Sequence, residues 1–278
     1  GRFVRPRARH SAFLSFFPTG VDLSPSGQAR WLVGSLIRGA GLSGFLPPGL
    51  RERLRTLPTR AEIAALAAYD AIIANSEYSR RWVKHYWRRD SRVLYPPIEM
   101  LQPGVKQNII LHVGRFFVGG HNKKHDVLID AFRALLARLP DGEAWELHLA
   151  GGITPGAEHQ AYADRIREMA AGLPVRIHQG IDHAALAALF GRARIYWHAT
   201  GYGADLRRFP DQAEHFGMSI AEAMSAGAVP VVFAAGGPAE IITPGQDGLV
   251  WQTPAALVED TLGLIMAPER QTRMAAAA

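Results

Sequence analysis

The chain has 278 residues, 48% hydrophobic and 20% charged, enough apolar material to bury one large core or two ordinary ones. It contains no cysteine, which excludes disulfides and thiolate metal sites and agrees with a reducing compartment. The net charge of +6 is uneven: residues 1–98 hold 16 Lys+Arg against 6 Asp+Glu, and residues 99–278 hold 15 against 19.

No apolar run reaches the ~18 residues of a membrane-spanning helix, and Ala12 to Phe17 is too short for a secretory apolar region. The start at Gly1-Arg2-Phe3, without an initiator methionine, fits a chain that begins part-way into a longer protein. The basic first part suits an anionic membrane surface or an acidic acceptor, or is simply a solvated arginine face. Helix-turn-helix spacing, zinc patterns and RNA-binding aromatic signatures are absent, so nucleic acid is not an expected partner.

Residues 1–60, rich in Pro, Gly and Arg, offer only a short helix over 28–38. Beyond them the pattern sharpens to a helix over 61–69, an apolar strand over 70–74, and a helix to about Arg88 capped by Ser76. A strand at Val93-Leu94 is stopped by Tyr95-Pro96-Pro97, a stiff connector that marks a boundary between domains 1–98 and 99–278. Strands then fall at 108–113, 145–150, 174–178, 194–198, 229–233 and 248–251. Helices alternate with them at 125–138, 156–171, 183–190, 217–226 and 237–242, and two more at 254–265 and 267–277 close the chain. Continuously apolar strands such as Asn108-Ile109-Ile110-Leu111-His112-Val113, each followed by a helix, predict an α/β domain with a doubly wound parallel sheet.

Ligands of such sheets bind at the carboxyl ends of the strands, which directs attention to two loops. Gly114-Arg115-Phe116 follows the strand ending at Val113, and Gly119-Gly120-His121-Asn122-Lys123-Lys124 holds two of the chain's four lysines. Arginine forks and lysine point charges suit phosphate oxygens, and glycine lets backbone approach a ligand. The plainer reading pairs Arg115 with a surface carboxylate. The second loop leads into Glu214-His215-Phe216-Gly217-Met218-Ser219-Ile220-Ala221-Glu222, where a helix opening at Gly217 would offer free N–H groups and a positive dipole end to a phosphate. Glu222 is the single charge between Phe216 and Val229, in a segment that reads as buried, so it needs a polar partner. A ligand hydroxyl or an arginine would serve; Glu214 is equally readable as an exposed loop carboxylate. No Asp-x-Asp pair is present to hold Mg²⁺ for a diphosphate. The histidines lack metal-ligand spacing and read mostly as loop or strand-end residues, with His198 a candidate to line the crevice. A Gly-x-Ser-x-Gly turn and a Walker-type loop are absent.

From about Tyr69 to the C-terminus, five elements occur in order: Asn75-Ser76-Glu77-Tyr78, Val93-Leu94-Tyr95-Pro96-Pro97, Gly114-Arg115-Phe116 with Lys123, Glu214-x7-Glu222, and Gly236-Gly237-Pro238-Ala239-Glu240. Together they resemble the retaining glycosyltransferases of family four, of GT-B fold. The resemblance implies that residues 99–278 form a Rossmann-like domain for a nucleoside-diphosphate-sugar donor, behind an incomplete N-terminal acceptor domain. It implies that Gly114, Arg115 and Lys123 meet the diphosphate, with Lys124 as fallback where the family often has glycine. Glu214 would contact the transferred sugar, Phe216, Gly217, Met218 and Ser219 would present amides, and Glu222 would take the ribose hydroxyls. Gln179, Gly180 and Ile181 would line the base. Arg115, Lys123 and Glu214 would carry the chemistry, without metal or other cofactor. The acceptor would be a lipid-linked saccharide or polysaccharide intermediate, and the location cytoplasmic, peripheral on the membrane face. A family acceptor domain is longer than the stretch before Pro97, and the last helix stops early, so the chain is expected to be truncated at both ends. A binding module without catalysis, an epimerase or a phosphorylase are the competing readings.

Overall fold

The computed structural model describes residues 3–40, 42, 46, 47, 49, 50 and 57–278. By internal contact the chain divides into two compact units, Gly1–Pro96 and Pro97–Ala278.

The first unit holds a parallel three-stranded sheet in the order β1 (Ala12–Ser15), β2 (Ala71–Ala74), β3 (Arg92–Val93). β1 was not foreseen from the sequence: it is four residues long and half exposed, so it lacks the apolar run that marks a buried strand. Helix Pro25–Gly39 and helix Arg60–Ala67 extend or trim the expected spans by a turn or less. Thr59 and Glu62 close a reciprocal capping box on the second of these, the Glu62 N–H donating to Thr59 Oγ1 at 3.1 Å. Ser76 caps the next helix as expected, accepting from Ser79 N at 3.0 Å. That helix departs from expectation after Glu77–Trp82: residues Val83–Trp87 form a π-helical turn, which ends at Arg88 in a left-handed conformation. The wider turn changes the helical phase and delivers Trp87, 2% exposed, into the aromatic cluster of Phe3 and Phe13.

The second unit carries six parallel strands: β4 (Gln107–Val113), β5 (Glu146–Gly151), β6 (Val175–Gln179), β7 (Ala193–His198), β8 (Val229–Phe233) and β9 (Leu249–Trp251). Their spatial order is β6-β5-β4-β7-β8-β9. Helices Met218–Ser225, Pro254–Ile265 and Pro268–Ala277 match the expected ones within a residue at each end. Alternate strand residues feed two cores. Ile110, Leu147, Leu149, Ile195 and Trp197 meet helices His125–Leu136, Ala157–Ala170 and Pro254–Ile265 on one face. Ile109, Leu111, Ala150 and Tyr196 meet helices His183–Arg192 and Met218–Ser225 on the other. Burial on both faces is why these strands read as unbroken apolar runs.

The order places β4 centrally, with the chain winding toward β5 from one side and toward β7 from the other. The exits of β4 and β7 therefore form the switch point of the sheet, where a ligand crevice is expected in such folds.

Candidate functional site

Two loops meet at this switch point. The one leaving β4 keeps alongside the β5 exit: Gly114 N donates to the Ala150 carbonyl and Phe116 N to that of Gly152, each at 2.9 Å. Phe116 is fully buried, its ring stacked on His125 at 4.1 Å. Arg115, between them, is exposed, its guanidinium 5.5 Å from the centroid of Phe117. Among the described residues no carboxylate pairs with it, so the plainer reading of Arg115 does not hold. Gly114 is glycine for space: a Cβ there would stand 2.7 Å from Lys123 Cγ and 3.1 Å from His112 Nε2. The Lys123 side chain thus runs across the bare backbone of Gly114 toward the second loop.

There it finds Glu214. Lys123 Nζ lies 2.6 Å from Glu214 Oε2, with 14% and 15% of the two side-chain surfaces left exposed. The same oxygen faces His198 Nε2 at 3.3 Å, and Oε1 faces His121 Nε2 at 3.6 Å. Glu214 is therefore an inward-facing, paired acid rather than an exposed loop carboxylate. Its backbone is fixed by the glycine pair of Gly236-Gly237-Pro238-Ala239-Glu240. Gly237 N donates to the Glu214 carbonyl at 2.8 Å, and Gly236, at φ 74°, comes so close that a Cβ would run into that oxygen.

Helix Met218–Ser225 opens as expected from Gly217, at φ 105°, with no side chain capping its first turn. Ser219 is tied back to the sheet, its Oγ 2.7 Å from the Tyr196 hydroxyl. Phe216 is buried and Met218 is 46% exposed. Glu222, one turn beyond Met218, shares that outer side and is half-buried rather than buried. Among the described residues it has no ion-pair partner, so the arginine alternative is not what the structure contains. Burial, then the nearby Glu99, pushes the Glu222 carboxyl up, with His183 opposing.

The remaining expected residues stand apart. Lys124 occupies a left-handed conformation at φ 58°, the geometry that favours glycine, and its N–H is held by Asn122 Oδ1 at 2.7 Å. Gln179 ends β6 and Gly180 and Ile181 follow it, on a strand two removed from β4. The Gln179 amide oxygen accepts from Arg167, and Ile181 packs into the core of the Met218–Ser225 face.

His198 ends β7, at the strand-end position the sequence suggested for it, but sequence reasoning missed the cluster it belongs to: His112, His125 and His198 are all essentially buried. His112 Nδ1 donates to the Trp197 carbonyl at 2.9 Å, and His125 Nε2 to that of Gly114 at 3.3 Å. His121 and His215 stack at 4.8 Å beside Glu214. One signal existed in the sequence: His112 and His198 each stand at the end of an apolar strand, and those strands prove to be neighbours. Among the described residues no three such groups converge as ligands of a metal ion.

Electrostatics follow from this packing. Burial holds the imidazoles neutral, pushing His125 down to about 3 and His121 down to about 4, and lowering His112, His198 and His215 as well. For Glu214, burial alone would raise the carboxyl. Lys123, then the His198 hydrogen bond, outweigh it and hold the acid well below the usual carboxylate range. The site thus carries one ammonium and one carboxylate surrounded by uncharged rings.

A family model for glycosyl transferases group 1 matches residues 99–278. The chain is 24% identical over 196 residues to a GDP-Man:Man(3)GlcNAc(2)-PP-Dol alpha-1,2-mannosyltransferase of Dictyostelium discoideum, covering 63% of this chain and 36% of that protein. It is 30% identical over 190 residues to the lipopolysaccharide core biosynthesis mannosyltransferase LpcC of Rhizobium leguminosarum bv. viciae, covering 65% and 49%. The chain therefore spans half or less of these relatives' lengths. In fold it is similar to Anabaena Alr3699/HepE in complex with UDP-glucose, with a TM-score of 0.61 at 19% identity, covering 78% of this chain and 60% of that one. A glycosyltransferase from Rickettsia africae gives 0.57 at 18% identity, covering 74% and 56%.

Two outcomes follow from the geometry. The His125 pKa is depressed on folding, so below pH 6.5 the unfolded chain binds a proton that the folded one refuses. Stability should fall by about 1.4 kcal/mol per pH unit per such histidine. Urea midpoints measured from pH 7 to pH 5 should drop, with a shallower slope in His125→Gln. Gly236→Ala should lower unfolding stability by roughly 1–3 kcal/mol through overpacking against the Glu214 carbonyl, read by the same titration.

Proposed function

The chain belongs to the group 1 glycosyl transferases, and on that premise we propose that it moves a hexose from a nucleoside-diphosphate sugar to a hydroxyl acceptor. The observation that carries this reading is the Lys123–Glu214 pair, an ammonium and a carboxylate 2.6 Å apart at the switch-point crevice. A diphosphate needs cations and N–H donors where its charge grows as the sugar departs. Lys123, the unpaired Arg115 and the uncapped start of helix Met218–Ser225 provide them. The hydroxyl-rich sugar needs an acceptor fixed in place, which is Glu214. Glu222, half-buried and without a cation, suits the ribose hydroxyls. The bond from the sugar to the diphosphate breaks while the acceptor oxygen bonds on the same face and its proton passes to the departing phosphate oxygen, so configuration is retained. Glu214 supports the developing positive charge on the ring. On this reading no metal is required, since fixed cations meet the diphosphate.

The mannosyltransferase relatives make GDP-mannose the first donor to try, and a saccharide carried on a lipid the matching acceptor. Such an acceptor implies a membrane surface. The first unit presents Leu32, Val33 and Leu36, 55–72% exposed, along helix Pro25–Gly39. Leu32 also lines a cavity of about 520 Å³ together with Trp31, Arg60 and Ile63. An exposed apolar stripe in a strongly basic region fits an anionic bilayer. Among the described residues no helix is long and apolar enough to cross one.

The donor reading is tested by thermal shift with GDP-mannose and UDP-glucose. A donor at ~100 times its dissociation constant should add about 2.7 kcal/mol, and no shift with either would count against it. Lys123→Met should weaken nucleotide binding by roughly tenfold or more, the worth of a hydrogen bond to a charged group, and Lys124→Met much less. For the membrane, co-sedimentation should rise with the anionic fraction of vesicles and fall in Leu32→Ser/Leu36→Ser. Binding indifferent to vesicle charge would remove the electrostatic part of the proposal.

A further inference from the structure

One oxygen of Glu214 has two donors. Lys123 Nζ lies 2.6 Å from Oε2 and His198 Nε2 lies 3.3 Å from it. On the reading above, the donor's diphosphate competes for Lys123. As the ammonium moves toward the phosphates, the carboxylate loses its short partner while still largely buried. A buried acid deprived of its cation either takes up a proton or swings toward whatever polar group remains, and in both cases its geometry toward the sugar is lost.

His198 is placed to prevent this. It ends β7, is 1% exposed, and its carbonyl is held by Trp251 Nε1 at 3.2 Å, so it belongs to the rigid sheet and does not travel with a ligand. An ionised carboxylate only accepts hydrogen bonds, so Nε2 must be the protonated nitrogen. Nδ1 is buried with no hydrogen-bond partner among the described residues, and none of them draws the proton to that nitrogen. His121 is a poorer second: its Nε2 stands 3.6 Å from Oε1, beyond hydrogen-bond reach, and it rides on the same loop as Lys123.

We propose that His198 is a positioning residue, which holds the Glu214 carboxylate in its sugar-facing orientation once the diphosphate has drawn Lys123 away. The inference rests on the donor reading, and the test separates the two.

Affinities for GDP and GDP-mannose, and for UDP and UDP-glucose, are measured by calorimetry on the wild-type chain and on His198→Leu and His198→Gln. The Gln amide restores a donor near the position of Nε2; Leu does not. In His198→Leu the nucleoside diphosphate should bind within about twofold of wild type, while the nucleotide sugar loses roughly tenfold, the weight of one hydrogen bond to a charged group. His198→Gln should recover most of that loss. The sugar-dependent part of the affinity should also fail at a higher pH in His198→Leu, because with Lys123 drawn to the diphosphate Glu214 then keeps its charge, among the described residues, beside only His121, His215 and Tyr196. If His198→Leu does not fold, His198→Asn, polar but too short to reach Glu214, takes its place with the same expectation. Equal loss for nucleoside diphosphate and nucleotide sugar, no loss for either, or an unmoved pH profile would overturn the role of His198. A wild-type chain that binds none of the four probes would overturn the donor reading itself.

Discussion

A single ion pair between residues 91 positions apart is the contact on which the loop arrangement of the second unit depends. Lys123 and Glu214 stand on the two loops that leave the central strands β4 and β7, and each is largely shielded from water. Charges so placed are costly unless they meet, and removing one partner of such a pair typically costs about 3–5 kcal/mol. Their contact therefore does two things. It fastens the two loops at the switch point, and it keeps there a carboxylate and an ammonium that neither loop could hold alone.

The surroundings are built to serve that contact. Gly114 has no side chain because Lys123 needs the space, and Gly236 has none because the Glu214 backbone needs it. The histidines beside the pair contribute donors and acceptors without charge, since burial keeps them neutral. In a resting site so composed, the positive and negative groups cancel. A simple anion has to compete with Glu214 for Lys123, whereas a ligand bringing an anion for the lysine and hydroxyls for the acid satisfies both at once. On the proposed function, a nucleoside-diphosphate sugar would be such a ligand.

Much of this could be read from the chain, and what could not has physical reasons. The strands of the second unit were legible because both faces are covered, so their residues are apolar without interruption. Gly217 announced the helix start through its own conformational freedom, and Arg115, Lys123 and Glu214 stood out through residue type and loop position. β1 was not legible, being short and half exposed. Neither was the π-helical turn at Val83–Trp87, which depends on where Trp87 must go. The half-exposure of Glu222 follows from its position one turn beyond Met218 on the outer side of the helix, which the lack of other charges in the segment had obscured. The histidine cluster was invisible to spacing because it is assembled by sheet order: His112 and His198 become neighbours only because β4 pairs with β7.

The hydroxyl contact between Tyr196 and Ser219 has a mechanical consequence. It rivets the first turn of helix Met218–Ser225 to a central strand, so that wall of the crevice keeps its shape whether or not anything lies against it. The opposite wall is a loop rich in glycine, ending in a left-handed lysine, with a four-carbon side chain reaching from it. A visiting molecule thus meets one wall fixed along its length and another fixed at Gly114, Phe116 and Lys123, so what room it is given lies with exposed Arg115 and the glycines Gly119 and Gly120.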